Sequence, residues 1–273
     1  VRRSDFLTLA AGAVLSPAPP LGGRTFLPSF TSAPYPHAGR PYRDSTVGIY
    51  VPASYRASET VDYVVHFHGW HNDVRHVLQR YRLREQLELS RRNAVLIVPQ
   101  GPEDAPDSDF GKLEHDNGGF ARLIEDAGAF LRRQRVTAAT ETGRIVLSSH
   151  SGGYGGQAGV LTRGGLNRYV TDVILFDSAY GYYDAFANWT KSRSENHLLS
   201  MFTADTSNGN AYLMTLVQAQ NPNIFVRSAH GMTLAELQTR APTFIQTNVA
   251  HDELLQRYNW YALFLQATAL TAV

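Results

Sequence analysis

The chain of 273 residues is 43% hydrophobic and 18% charged, with a formal net charge of +1. That length is enough for one large globular unit, and near-neutrality is a poor match for nucleic acid or a strongly anionic surface, so small molecules are the expected ligands. No cysteine is present, which excludes disulfides, thiolate metal sites and cysteine nucleophiles while leaving the compartment open.

Arg2-Arg3-Ser4-Asp5-Phe6-Leu7 leads into a mild apolar run ending at Leu15, then Ser16-Pro17-Ala18-Pro19-Pro20. A basic pair, a short apolar stretch and a small, proline-rich exit predict an export signal over residues 1–23. It resembles a twin-arginine signal, with one residue more than usual between the arginines and Phe6. The expected destination is the periplasm or the exterior. No later run reaches membrane-spanning length, so no membrane span is expected.

Residues 24–273 are expected to form a single domain. Residues 24–45, rich in Pro, Gly, Ser and Tyr, read as an extended lead-in. Strands are predicted at Thr46–Val51, Val61–His68 and Ala94–Val98. Between the last two, Val74, Val77, Leu78 and Tyr81 fall at helix-face spacing. Phe120, Leu123, Ile124, Ala127 and Leu131 mark an amphipathic helix. Further strands are predicted at Ile145–Ser148, Val170–Phe176, Leu198–Thr203 and Phe244–Val249, with Asn223–Val226 a weaker candidate. A closing helix is read from Leu254, Tyr258, Tyr261 and Leu265. Apolar strands alternating with helices imply an α/β fold, with a mainly parallel central sheet, helices on both faces and a short cap region between late strands. Ligands of such sheets bind beyond the carboxyl ends of the strands, where Gly69, Ser151, Asp177, Asp205 and His251 all fall.

Ser149-His150-Ser151-Gly152-Gly153 follows a strand and opens a glycine-rich stretch. Small residues two before and two after Ser151 suit a sharp strand-to-helix turn that holds the hydroxyl clear of the backbone. The usual pattern is G-x-S-x-G; Ser149 is a small but imperfect substitute for its first glycine. A serine hydroxyl needs a base, and imidazole has a pKa near operating pH. His251, after the last candidate strand, is favoured over His230. The acid that orients it is either Asp205 or Asp177, with Asp205 slightly preferred; both orders read Ser, Asp, His.

The order Ser151…Asp…His251, the strand–elbow–helix setting and His68-Gly69-Trp70 upstream resemble the α/β-hydrolase superfamily over roughly residues 45–270. The resemblance implies an oxyanion hole formed by the backbone amides of Gly152 and Trp70. It implies a serine hydrolase needing no cofactor, most readily a carboxylic ester hydrolase with an acyl-enzyme intermediate. An amidase or peptidase with the same residues, and a non-catalytic binding protein, are the alternatives.

His66, His68, His71 and His76 offer a rival reading, a histidine cluster resembling the H-x-H-x-D-H run of metallo-β-lactamase-like hydrolases. Trp70 stands where that run has aspartate, and no second ligand set is evident, so no metal is expected. Finally, Tyr180, Tyr182, Tyr183, Phe186 and Trp189 lie between two strands. From this stretch Tyr180 and Trp189 are taken as candidate substrate-binding residues, with simple core packing the equal alternative.

Overall fold

The β-branched and apolar runs of the sequence assemble into one nine-stranded sheet in a computed structural model, which describes residues 21–219 and 223–273. The expected export signal, apart from positions 21–23, lies outside the described residues. The strands are β1 (Arg24–Phe26), β2 (Val47–Val51), β3 (Thr60–Phe67), β4 (Val95–Pro99), β5 (Glu141–His150), β6 (Val170–Phe176), β7 (His197–Phe202), β8 (Phe225–Ser228) and β9 (Thr243–Gln246). Their order across the sheet is β1-β2-β4-β3-β5-β6-β7-β9-β8. The β1–β2 and β2–β4 pairings are antiparallel; every other neighbour is parallel.

Helices fill the crossovers. They are α1 (Val74–Arg80), α2 (Leu83–Ser90), α3 (Lys112–His115), α4 (Gly119–Arg133), α5 (Tyr154–Arg163), α6 (Tyr183–Ser192), α7 (Ser207–Gln218), α8 (Leu234–Leu237) and α9 (Trp260–Ala267). Local sequence explains their starts in places. The Asp73 carboxylate accepts from the Arg75 and His76 amides ahead of α1, and Thr233 with Glu236 forms a capping box on α8.

The strands between the two edge strands β1 and β8 are largely buried on both faces, and successive side chains feed opposite layers. Val65 and Phe67 pack with Phe120 and Leu123 of α4, Val160 of α5, Phe186 of α6 and Leu213 of α7. Val64 packs on the other side with Val77 of α1, Leu87 of α2, Leu237 of α8 and Phe264 of α9. No helix among the described residues is long and apolar enough to cross a membrane.

Three sequence expectations need correction. The extended lead-in, read without a strand, holds one, since Arg24–Phe26 pairs antiparallel with Val51–Ile49 at the sheet edge. The last strand ends at Gln246 rather than Val249. The closing helix is interrupted: Tyr258 and Asn259 both take left-handed φ of 54°, so only Trp260–Ala267 is α-helical. The region between β6 and β7, expected as a cap, holds a loop at 178–182 and then α6.

Register sets the site. Phe67 pairs with Ser149, His150 with Phe176, and Phe176 with Met201. The residues that leave the sheet after these pairs, Gly69-Trp70, Ser151, Asp177 and Thr203, therefore emerge side by side at one edge of carboxyl ends.

Candidate active site

The strand β5 ends at His150 and the chain turns at once into a short 3-10 turn, Ser151–Gly153, ahead of α5. Ser151 takes a φ of 52°, a conformation that costs a non-glycine residue free energy and persists only where neighbours enforce it. The turn is enforced by close packing. A Cβ on Gly153 would lie 2.2 Å from the Phe67 carbonyl oxygen, and one on Gly69 would lie 2.7 Å from Ser151 Cβ. The sequence requirement for small residues is therefore steric.

Ser149, the departure from the usual elbow, has a role of its own. Its buried hydroxyl donates to Gln157 Oε1 on α5 and lies 2.8 Å from Ser178 Oγ. Ser178 in turn donates to the Ser151 carbonyl at 2.7 Å. The elbow is thus tied to the helix behind it and to the loop after β6.

His251 follows β9 in a 3-10 turn and meets Asp177, with Nδ1 2.7 Å from Oδ2. This contact, for which Asp205 was slightly preferred, belongs to Asp177. Asp177 is fully buried, with a φ of 46°. It also accepts from the Thr203 amide at 2.9 Å, from Thr203 Oγ1 at 2.6 Å and from Thr206 Oγ1. Burial pushes its pKa up, but the hydrogen bonds from His251, Thr203 and Thr206 outweigh that and hold it below the usual carboxylate value. For His251 burial works downward, and the Asp177 bond and charge reverse it, leaving the pKa above the ordinary histidine value. Asp205 is exposed; its carboxylate comes within 4.8 Å of both partners. Carboxylates accept only, so Nδ1 carries the proton and Nε2 is the nitrogen available for proton transfer. Among the described residues no hydrogen bond ends on Ser151 Oγ. Such nucleophile–base contacts are often long without substrate and tighten when it binds.

Two further rings flank His251: His150, which the sequence reading left without a role, and Tyr180, a candidate substrate-binding residue. His150 lies beneath His251, with ring centroids 4.7 Å apart and Nε2 3.0 Å from the His251 carbonyl oxygen. Tyr180 meets the His251 ring edge-on at 6.5 Å. The only signal for His150 was its place inside the elbow.

His68 is not a metal ligand in this arrangement. Its Nδ1 donates to the Gly69 carbonyl at 2.9 Å and its Nε2 accepts from the Gly101 amide at 2.9 Å. Asn72 Nδ2 donates to the Trp70 carbonyl at 2.7 Å and reaches the Gly69 carbonyl at 3.4 Å. In a trans peptide C=O and N–H point oppositely, so a Gly69 carbonyl held toward His68 turns the Trp70 amide the other way. His66 is buried against Ser148, at 2.9 Å from its Oγ, while His71 and His76 are exposed. Among the described residues, the groupings with spacing for a metal contain none of these four histidines.

The aromatic candidates divide. Trp189 is 4% exposed and belongs to the core, so its assignment to substrate is withdrawn. Tyr180, Tyr182 and Trp70 are 42%, 53% and 50% exposed, and Tyr154 lies 6.1 Å from both tyrosine rings. Trp70 donates from Nε1 to Ser108 Oγ at 2.8 Å, and its Cδ1 would be 2.5 Å from a Cβ on Gly152. The indole therefore stands directly over Gly152. His230, the competing base, lines a separate cavity of about 950 Å3 with Arg227, Asn248 and Tyr258. That cavity reaches Ala250 and Glu253 on the flank of the His251 turn, but not Ser151 or Asp177.

No protein-family model matches the chain, and no curated protein matches it by sequence. Solved structures do match in fold. A serine-to-alanine mutant of the feruloyl esterase module from Clostridium thermocellum, complexed with sinapinate, superposes with a TM-score of 0.63 at 10% identity, covering 97% of this chain and 96% of that one. A ferulic acid esterase gives 0.55 at 7% identity, over 89% and 99%. A substrate-bound, fluorophosphonate-binding serine hydrolase from Staphylococcus aureus gives 0.52 at 10% identity, over 88% and 98%. At these identities the likeness is one of fold, and that fold is the α/β-hydrolase fold.

Proposed function

We propose that this α/β-hydrolase-fold chain is a serine hydrolase acting on carboxylic esters, with Ser151 as nucleophile, His251 as base and Asp177 as the acid that orients it. The observation that carries the reading is the His251–Asp177 hydrogen bond of 2.7 Å, set over a strained elbow that presents Ser151. Four hydrogen-bond donors converge there on a buried aspartate, one of them a half-buried imidazole.

The steps follow from the atoms. Ser151 Oγ attacks the ester carbonyl carbon while its proton passes to His251 Nε2. Asp177 stabilises the resulting imidazolium through Nδ1–H and stays ionised. The new oxyanion is held by the amides of Gly152 and Trp70, the latter turned toward the site by the His68 and Asn72 clasp on Gly69. Collapse breaks the ester C–O bond, and the leaving alkoxide takes the proton from Nε2. Water then attacks the acyl-enzyme, giving its proton to Nε2, and Ser151 leaves with that proton as the acid departs.

Trp70, Tyr154, Tyr180 and Tyr182 form an aromatic rim that suits a planar acyl group, and the sinapinate-bound neighbour supports hydroxycinnamate esters as first substrates to try. Export through the twin-arginine-like signal expected over residues 1–23 belongs to the same proposal. The test is labelling with a fluorophosphonate probe alongside turnover of p-nitrophenyl and hydroxycinnamate esters. Ser151→Ala is expected to abolish both labelling and turnover. Retained turnover in that variant, or turnover lost only to chelators, would overturn the serine mechanism.

A further inference from the structure

We infer that His150 is a positioning residue: it ties the backbone of the base to the backbone of the nucleophile, so that the two are placed by one piece of chain. The inference rests on the reading of Ser151 and His251 given above.

Asp177 fixes only the side chain of His251. The segment that carries His251 is irregular: a 3-10 turn over His251–Glu253, then a second over Arg257–Asn259, before α9 begins. No regular helix therefore sets where the His251 main chain lies. His150 does so directly, its Nε2 lying 3.0 Å from the His251 carbonyl oxygen. A carbonyl only accepts, so Nε2 carries the hydrogen.

The source of that bond matters. His150 is the residue before Ser151 and the last of β5, with extended φ and ψ of −123° and 136°. Its side chain therefore leaves the sheet on the face opposite Ser149, which is tied to α5. There it is wedged, with the Tyr81 ring at 5.3 Å and the His251 ring at 4.7 Å. A displacement of the elbow thus carries the base with it. Proton transfer from Ser151 to His251 is sensitive to such placement, since an error of one ångström costs on the order of a hundredfold in rate.

The wedge also works only while His150 is uncharged. Burial, and then the neighbouring His251, push its pKa down to about 4. An uncharged ring face 4.7 Å from the imidazolium that forms during attack attracts it, whereas a second cation would repel it.

Two substitutions separate these contributions. His150→Phe keeps a flat ring and removes the donor; His150→Gln places an amide N–H where Nε2 stood. With p-nitrophenyl acetate, His150→Phe is expected to lower kcat by on the order of tenfold or more at a KM within about twofold of the wild type. His150→Gln should return kcat to within about threefold. Wild-type kcat in His150→Phe overturns the proposal, as do equal losses in both variants that track lost thermal stability. Should neither variant fold, imidazole 15N NMR on the wild-type protein decides. A neutral His150 protonated on Nε2 at pH 7 is expected, and protonation on Nδ1 alone overturns it. Turnover by Ser151→Ala would instead count against the serine mechanism and leave the NMR result standing.

Discussion

At the scale of single residues, the choice between two aspartates turns on donors rather than on chain position. Asp177 is buried and receives Thr203, Thr206 and His251, whereas Asp205 is exposed and merely near. Asp177→Asn is expected to reduce kcat by roughly 10⁴-fold, because the amide stabilises the wrong tautomer of the base. Asp205→Asn should cost less than about tenfold, the loss of a nearby, solvent-screened charge. Comparable losses in the two would show that the acid had been misassigned. The pH profile follows from the same contact. His251 must be neutral to accept a proton, and Asp177 raises its pKa, so kcat/KM should climb through a midpoint above the ordinary histidine value. Removing the Asp177 charge moves that midpoint down. Much of this arrangement was legible in the sequence: the elbow, His251 and the turn at Gly69-Trp70 all stood at strand ends. The aspartate that His251 meets was not, since both aspartates follow strands and only folding shows which one Thr203 and Thr206 surround. Trp189 misled because a large aromatic near a site reads alike whether it faces substrate or the core.

At the scale of elements, hydrogen bonding at the far end of the sheet ties neighbouring strands and the C-terminal segment together. Asp172 of β6 is fully buried and accepts from Arg240 at 2.6 Å, His197 of β7 at 3.1 Å, Thr171 at 2.7 Å and the Ala269 amide at 3.1 Å. One carboxylate thus joins β6, β7, the approach to β9 and the segment after α9. Burial would raise its pKa, but His197 and Arg240 outweigh that and hold it low. Its contribution to stability is therefore complete above the unfolded carboxyl value near pH 4 and disappears as pH falls through the lower folded value. Asp172→Asn is expected to cost about 3 kcal/mol in urea unfolding at pH 7, since it leaves a partly buried guanidinium uncompensated. The cost should shrink toward acid pH; a cost independent of pH would exclude an ionic role. The sequence reading took Val170–Phe176 as an apolar strand and gave Asp172 within it no role. Helix periodicity misled at the C-terminus for a related reason: Leu254, Tyr261 and Leu265 are all buried across the break at Tyr258-Asn259, so the pattern survives where the helix does not.

At the scale of the whole molecule, both packed layers share one sheet. Neither can come away without exposing a face of strands whose alternate side chains it covers, so the layers should unfold together. Trp189 reports one layer and Trp260 the other. Variants retaining only one of these two are expected to show the same urea midpoint by fluorescence, matching that from circular dichroism. Separate midpoints would divide the single domain read from the sequence. The fold class was legible because buried parallel strands must be continuously apolar; the edge strand β1, three residues long and largely exposed, carries no such mark. One detail of the elbow bears on how molecules of this kind are recognised. With serine at position 149, the buried amide oxygen of Gln157 has a donor, and Ser178 gains a neighbour. A glycine there, the commoner choice, would strand that oxygen. Positions 149, 157 and 178 are therefore one chemical unit spread over thirty residues of chain, and a pentapeptide read without its distant partners describes only a third of it.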